Sequence, residues 1–261
     1  MSDLPYLSIV VPAYNEARRL PPTMAALAEF FRGFTRGYEV VIVVEGSTDG
    51  TLEIAAGLAA QQAHFQVIDN GPQRGKGHAV RSGMQRAQGE IVIYMDADLS
   101  VPLAEVPAFL RYFEEAPEVE VLVGNRQHAG SRITRRQSPL RESMGKIFNR
   151  ILQSLTLVSL RDTQCGFKAF RRAACQEIFR RQTIDGFAFD VEVLLLAERL
   201  GFKIEDRPVE WINSPDSRVN ILADSVQMLR DAWRIRRLVD RNIRETERPL
   251  AAAHRNSPTL E

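Results

Sequence analysis

The stretch "IVIYMDADLS" (residues 91–100) opens with five apolar residues and then sets two carboxylates, Asp96 and Asp98, one residue apart. A run of this length and composition reads as a strand buried on both faces, which belongs in a parallel sheet. Strands of the same kind recur along the first half of the chain: "LSIVVPAY" (7–14), "YEVVIVVEGS" (38–47), "FQVIDN" (65–70) and "VEVLVGNR" (119–126). Segments of helical period lie between them, near 21–32, 49–62, 76–88 and 103–115. Alternation of this sort predicts an α/β fold, a mostly parallel sheet with helices on both faces.

In such sheets ligands bind beyond the carboxyl ends of the strands. Each strand ends in polar groups: Tyr14-Asn15-Glu16, Glu45-Gly46-Ser47, Asp69-Asn70, Asp96-Ala97-Asp98 and Asn125-Arg126. One rim should therefore gather the chemistry. If Asp96 and Asp98 continue the extended strand, they point the same way, and their mutual repulsion makes the pair costly without a cation. Oxygen ligands suit magnesium or manganese. The alternative is that Asp98 or Ser100 caps a helix begun at Pro102, a reading that leaves Asp96 unexplained.

Composition bounds the possibilities. The chain has 261 residues, 44% hydrophobic and 26% charged, as a folded domain does. Thirty-four basic residues against 33 acidic leave a formal charge of +1, which argues neither for nucleic acid nor for an acidic partner. Two cysteines give no disulfide framework and no metal-ligand spacing, so a reducing cytoplasm is the expected compartment. No signal peptide and no apolar run of membrane-spanning length is evident, so any membrane association is expected at the surface, on the cytoplasmic face.

"GPQRGKG" (71–77) is not a P-loop, because it has three residues between the glycines and no hydroxyl residue after the lysine. It also lacks the third glycine of a dinucleotide fingerprint. What remains is a turn with Lys76 opening a helix, where backbone donors favour an anion. Between 126 and 150, seven basic residues (Arg126, Arg132, Arg135, Arg136, Arg141, Lys146, Arg150) face one acid, Glu142. The cluster fits either a solvated surface or an anionic headgroup and lipid surface. Further on, a helix near 139–158, a strand through 164–172, a helix near 187–200, a strand over 203–211 and a helix from about 219 to 241 are expected. The organisation expected is a catalytic domain over 1–215, a helical extension over 216–244 and a disordered tail over 245–261.

Five blocks, "SIVVPAYNEARRL", "EGSTDGT", "RGKGHAVRSGMQRAQGEIVIYMDADLS", "RDTQCGFKAFRR" and "FAFDVEVLLLAERLGFKIEDRPVEW" followed by "SRV", appear in order. With them the chain resembles the inverting GT-A glycosyltransferases of family 2, in particular the dolichyl-phosphate glucose and mannose synthases. The resemblance implies a GT-A, Rossmann-like fold and transfer of a hexose, glucose from UDP-glucose ahead of mannose from GDP-mannose, to a polyprenyl phosphate, with Mg2+ or Mn2+. It implies that Pro12, Ala13, Tyr14, Glu16, Glu45, Lys76, Asp96 and Ala97 line the nucleotide-sugar site and that Asp96 and Asp98 hold the metal. By the same resemblance Asp162 is the catalytic base, Arg126 and Arg141 bind the acceptor phosphate, and Ser217 and Arg218 belong to a loop over the donor. Val44-Glu45 departs from the family's paired aspartates, so a nucleotide contact weakened or replaced is expected there, which leaves the choice of base open. An inactive sugar-nucleotide-binding protein, a soluble acceptor and a homo-oligomer stay open.

Overall fold

The computed structural model describes residues 4–135, 160, 162–213, 231 and 234–244. Its elements run β1 (Leu7–Ala13), α1 (Leu20–Arg32), β2 (Tyr38–Val44), α2 (Thr51–Ala59), β3 (Phe65–Asp69), α3 (Lys76–Arg86), β4 (Ile91–Met95), α4 (Val106–Glu115) and β5 (Val121–Asn125). There follow β6 (Arg132–Arg135), β7 (Phe167–Arg171), α5 (Arg172–Arg181), α6 (Phe189–Arg199), β8 (Ile204–Pro208) and β9 (Glu210–Ile212). Residues 234–244 are helical.

Among the described residues, seven strands form one sheet in the order β3-β2-β1-β4-β7-β5-β8. All neighbours are parallel except β7, which runs antiparallel to both β4 and β5. The expected mostly parallel α/β sheet is present. β6 and β9 form a separate two-stranded parallel ribbon that the sequence reading did not anticipate, as it did not anticipate α5.

Alternation along the strands divides the interior in two. Leu7, Ile9 and Val11 of β1 join Ile42, Ile93 and Ala169 under α1, α2 and α4. Val10, Val43, Val92, Tyr94 and Phe170 face the other way, against α3, α5 and α6. Ile235 and Val239, of the C-terminal helical residues, are buried in this second layer. Each such fully buried aliphatic side chain contributes roughly 1.5–3 kcal/mol. α1 starts with prolines in its first turn, where no helix hydrogen bond is lost, and buries Leu20, Met24, Leu27 and Phe31 at helical spacing. Among the described residues, no helix is long and apolar enough to cross a membrane.

Candidate active site

β1, β2, β4 and β5 deliver their carboxyl ends to one edge, where Ala13, Glu45, Asp96 and Arg126 end or follow them. Asp96 and Asp98 lie just past β4, in a turn rather than on the strand. The turn, not strand alternation, therefore sets their directions. Leu99 within it has φ +51°, a left-handed conformation that leucine adopts only at a cost of about 1–2 kcal/mol. The Ser100 N–H donates to Asp98 Oδ1 at 3.0 Å, and the short helical turn after Pro102 has no side-chain cap. Capping is thus not the role of Asp98.

Lys76, the first residue of α3, places Nζ 2.7 Å from Asp96 Oδ1. Burial works against the Lys76 ammonium, but Asp96, with Asp190 and Asp98 behind it, holds its pKa above the ordinary lysine value. Asp96 is also gripped from the other side. Its N–H donates to the Gly166 carbonyl at 3.1 Å, and a Cβ on Gly166 would sit 2.0 Å from Asp96 Oδ2. Only glycine leaves that carboxylate where it stands. Arg19 approaches Asp98 Oδ2 at 3.9 Å while forking onto Glu16, so the β1 rim and the carboxylate turn share one cation.

Pro12 and Ala13 end β1, and Tyr14 follows, 39% exposed. Asn15, at φ +53°, ties this loop to the next: its N–H donates to Ser47 Oγ at 2.9 Å, and its Oδ1 accepts from the Thr48 N–H at 2.8 Å. The Glu16 N–H donates to Thr51 Oγ1 at 2.8 Å. The first two rim loops are one hydrogen-bonded unit, with Tyr14 the exposed aromatic on it.

Glu45 has a role that the sequence reading missed. Its buried carboxylate accepts from the backbone N–H groups of Arg74 (2.8 Å) and Gly75 (2.7 Å) and from Asn70 Nδ2 (2.6 Å), and it pairs with His78 Nδ1 at 2.5 Å. Burial pushes its pKa up, but these donors overcome it and hold the group below the usual glutamate range. Glu45 clamps the turn that presents Lys76, which is what the extra methylene over aspartate reaches. Asn70 was expected at the rim as a strand end, though without a stated partner; His78 was not expected there, and nothing local in the sequence marks it.

Asp162 and Arg126, expected as base and acceptor-phosphate ligand, are paired with each other. Asp162 is 2% exposed and accepts from the Arg126 N–H (2.9 Å), Nε (2.8 Å) and Nη2 (2.8 Å). Burial alone would raise its pKa; the Arg126 charge and hydrogen bonds bring it below the ordinary aspartate value. The Arg126 pKa is raised, since burial is outweighed by Asp162, and the guanidinium lies 5.7 Å from the Trp211 ring centroid. The Asp96 charge adds to this in the same direction, more weakly than Asp162 does. Arg141, Ser217 and Arg218 lie outside the described residues, as do the helix expected at 139–158 and the tail 245–261.

No cluster of three or more metal-binding side chains occurs among the described residues. The oxygen ligands available at the rim are Asp96 and Asp98, of the kind magnesium and manganese take, with Lys76 standing on the first and Arg19 near the second.

The sheet carries one reversed strand, β7, with Asp96 and Asp98 at its rim, and comparison with known proteins supplies the family. Residues 8–179 match the model of glycosyl transferase family 2, and the chain belongs to that family. It is 31% identical over 241 residues to a dolichyl-phosphate beta-glucosyltransferase of Dictyostelium discoideum, spanning 88% of this chain and 74% of that protein. With the Saccharomyces cerevisiae protein of the same name the identity is 30% over 247 residues, at 88% and 74% coverage. Among solved structures, glucosyl-3-phosphoglycerate synthase of Mycobacterium tuberculosis, in complex with Mn2+, UDP-glucose and phosphoglyceric acid, superposes with a TM-score of 0.66. That match has 17% identity and covers 89% of this chain and 79% of the other, which establishes the shared fold.

Proposed function

We propose that the chain transfers a hexose, glucose in the first instance, from a uridine diphosphate sugar to a polyprenyl phosphate with inversion at the anomeric carbon. The observation that carries this reading is the continuous rim in which Lys76, Asp96 and Asp98 lie at one end and the Arg126–Asp162 pair at the other. Dolichyl-phosphate glucosyltransferases at about 30% identity support the choice of sugar and acceptor.

In this reading Pro12, Ala13, Tyr14 and Glu16 flank the nucleotide, and Glu45 holds the Lys76 turn against the diphosphate. Asp96 and Asp98 would hold Mg2+ or Mn2+, and the ion would neutralise charge on the leaving diphosphate. Arg126, joined by Arg141, orients the acceptor phosphate, whose oxygen attacks the anomeric carbon in line as the bond to the diphosphate breaks. A phosphate monoester has a second pKa near 6, so much of it is already dianionic at pH 7 and has no proton to give up. Asp162 then serves to aim Arg126 more than to take a proton. Ser217 and Arg218 would close over the donor, and the basic stretch around 126–150 would meet an anionic membrane surface.

A soluble phosphorylated acceptor is the second reading, favoured by the absence of a membrane-spanning helix among the described residues and by a structural neighbour named for a phosphoglycerate product. Labelled UDP-glucose and GDP-mannose, each incubated with Mn2+ and either a polyprenyl phosphate or a soluble acceptor panel, separate the cases. Label in the lipid from UDP-glucose is the expected result; label only in a soluble product overturns the acceptor. Donor binding without turnover would make the chain a sugar-nucleotide-binding protein.

A further inference from the structure

Beneath the rim lies a charged cluster that the proposed chemistry does not use. Tyr94 of β4, Lys168 of β7 and Asp190 of α6 meet in the layer shared with Phe189, none more than 3% exposed. Lys168 Nζ donates to Tyr94 OH at 2.9 Å, to Asp190 Oδ1 at 2.5 Å and to the Cys165 carbonyl at 2.7 Å. An ammonium has three N–H donors, so all three are spent. The Tyr94 hydroxyl in turn donates to Asp190. Burial and the Asp190 carboxylate push the phenol well above its ordinary pKa, so it stays a donor.

A buried ion pair is seldom retained for stability, because well-packed apolar residues of similar volume do as well or better. What this cluster does have is three attachments to the rim. Tyr94 is two residues before Asp96 on the same chain segment. The Cys165 carbonyl belongs to the turn that runs from Asp162 to Gly166, whose two ends hold Arg126 and abut Asp96. Asp190 lies in the first turn of α6, a few residues after the segment 184–186, and that segment packs on the start of α3: a Cβ on Gly75 or Gly77 would lie 2.4 Å from the carbonyl oxygen of Asp185 or Ile184. Lys76 stands between those two glycines. The Asp190 charge also bears on Lys76, and the Lys168 charge on Asp162.

We infer that Tyr94, Lys168 and Asp190 are positioning residues that fix Asp96, Lys76 and Asp162 relative to one another, so that the donor and acceptor ends of the rim hold register. This rests on the reading of that rim as a sugar-nucleotide site. No member of the cluster touches substrate; each acts through the segment it anchors.

The test replaces the whole charged unit, Lys168→Met with Asp190→Leu, and separately makes Tyr94→Phe. Thermal midpoint, Mn2+ affinity by electron paramagnetic resonance in the presence of UDP, and kcat and KM for UDP-glucose are measured on each. The expected result for the double variant is a folded protein with Mn2+ bound at least tenfold more weakly, kcat down at least thirtyfold and donor KM changed less than fivefold. Tyr94→Phe, which keeps the ion pair but takes one acceptor from the buried Lys168 ammonium, is expected to lower the midpoint by a few degrees and to lose three- to tenfold in kcat. A folded double variant with kcat within threefold of wild type and unaltered Mn2+ affinity overturns the inference. Should the double variant not fold, Tyr94→Phe decides: full activity overturns it. A wild-type chain that neither binds UDP with Mn2+ nor transfers sugar overturns the donor-site reading and the inference with it, a result distinct from the variant's failure.

Discussion

Replacing Gly166 by alanine should separate the rim's chemistry from its stability. The new Cβ would lie 2.0 Å from Asp96 Oδ2, 2.4 Å from Cγ and 2.9 Å from Oδ1. All three atoms belong to the end of one side chain that is 34% exposed, so the carboxylate can swing toward solvent without moving the sheet. The loss to the fold is the partly exposed ion pair with Lys76, worth about 0.2–1 kcal/mol. At about 2–4 °C per kcal/mol for a chain of this size, the thermal midpoint should fall by no more than about 4 °C. Displacing a positioned group by about 1 Å costs on the order of 100-fold in rate, and here the displaced group is Asp96 itself. Thermal unfolding followed by circular dichroism, with donor turnover measured on the same sample, checks both halves. Full turnover at an unchanged midpoint would show that Asp96 need not stand where the structure has it.

Other outcomes follow from the same geometry. Asp162→Asn should lose several orders of magnitude with an alcohol acceptor but far less with a phosphate; equal losses in a two-acceptor assay would make Asp162 a proton acceptor for both. Lys76→Met should raise the donor KM at least tenfold and leave the thermal midpoint within a few degrees. Glu45 and Asp162 both have lowered folded-state pKa values, so each contributes stability that is complete above its unfolded value, about 4.3 and 3.9, and is lost as pH falls through the folded one. Glu45→Gln should therefore destabilise at pH 7 by about 1–3 kcal/mol and flatten the fall in stability below pH 4, as urea titrations across pH would record.

The layered α/β fold was legible because strands buried on both faces leave continuous apolar runs, and β1, β2 and β4 are such runs. The reversal of β7 was not, since a strand's direction is decided by where the preceding chain crosses the sheet and not by "FKAFR" itself. α5 was missed because it follows β7 without a breaker, although Ala174, Cys175, Ile178 and Phe179 repeat at helical spacing and are buried. At the site, Asp96, Asp98 and Lys76 could be named from position beside a strand end or helix start. The contacts of Glu45 were not legible because its partners, Asn70, Arg74, Gly75 and His78, lie 25 to 33 residues away and meet it only through the fold. Lys168 carried a signal that went unused: a lysine inside a run otherwise built for burial requires a buried partner.

The central claim is that Asp96 and Asp98 form the diphosphate end of a sugar-nucleotide site. Crystals grown with UDP-glucose and manganese, measured at the manganese absorption edge, test it most directly. An anomalous peak in contact with both carboxylates and with the diphosphate is the predicted result. A well-ordered nucleotide whose phosphates lie away from this turn, with no manganese at either aspartate, would contradict it.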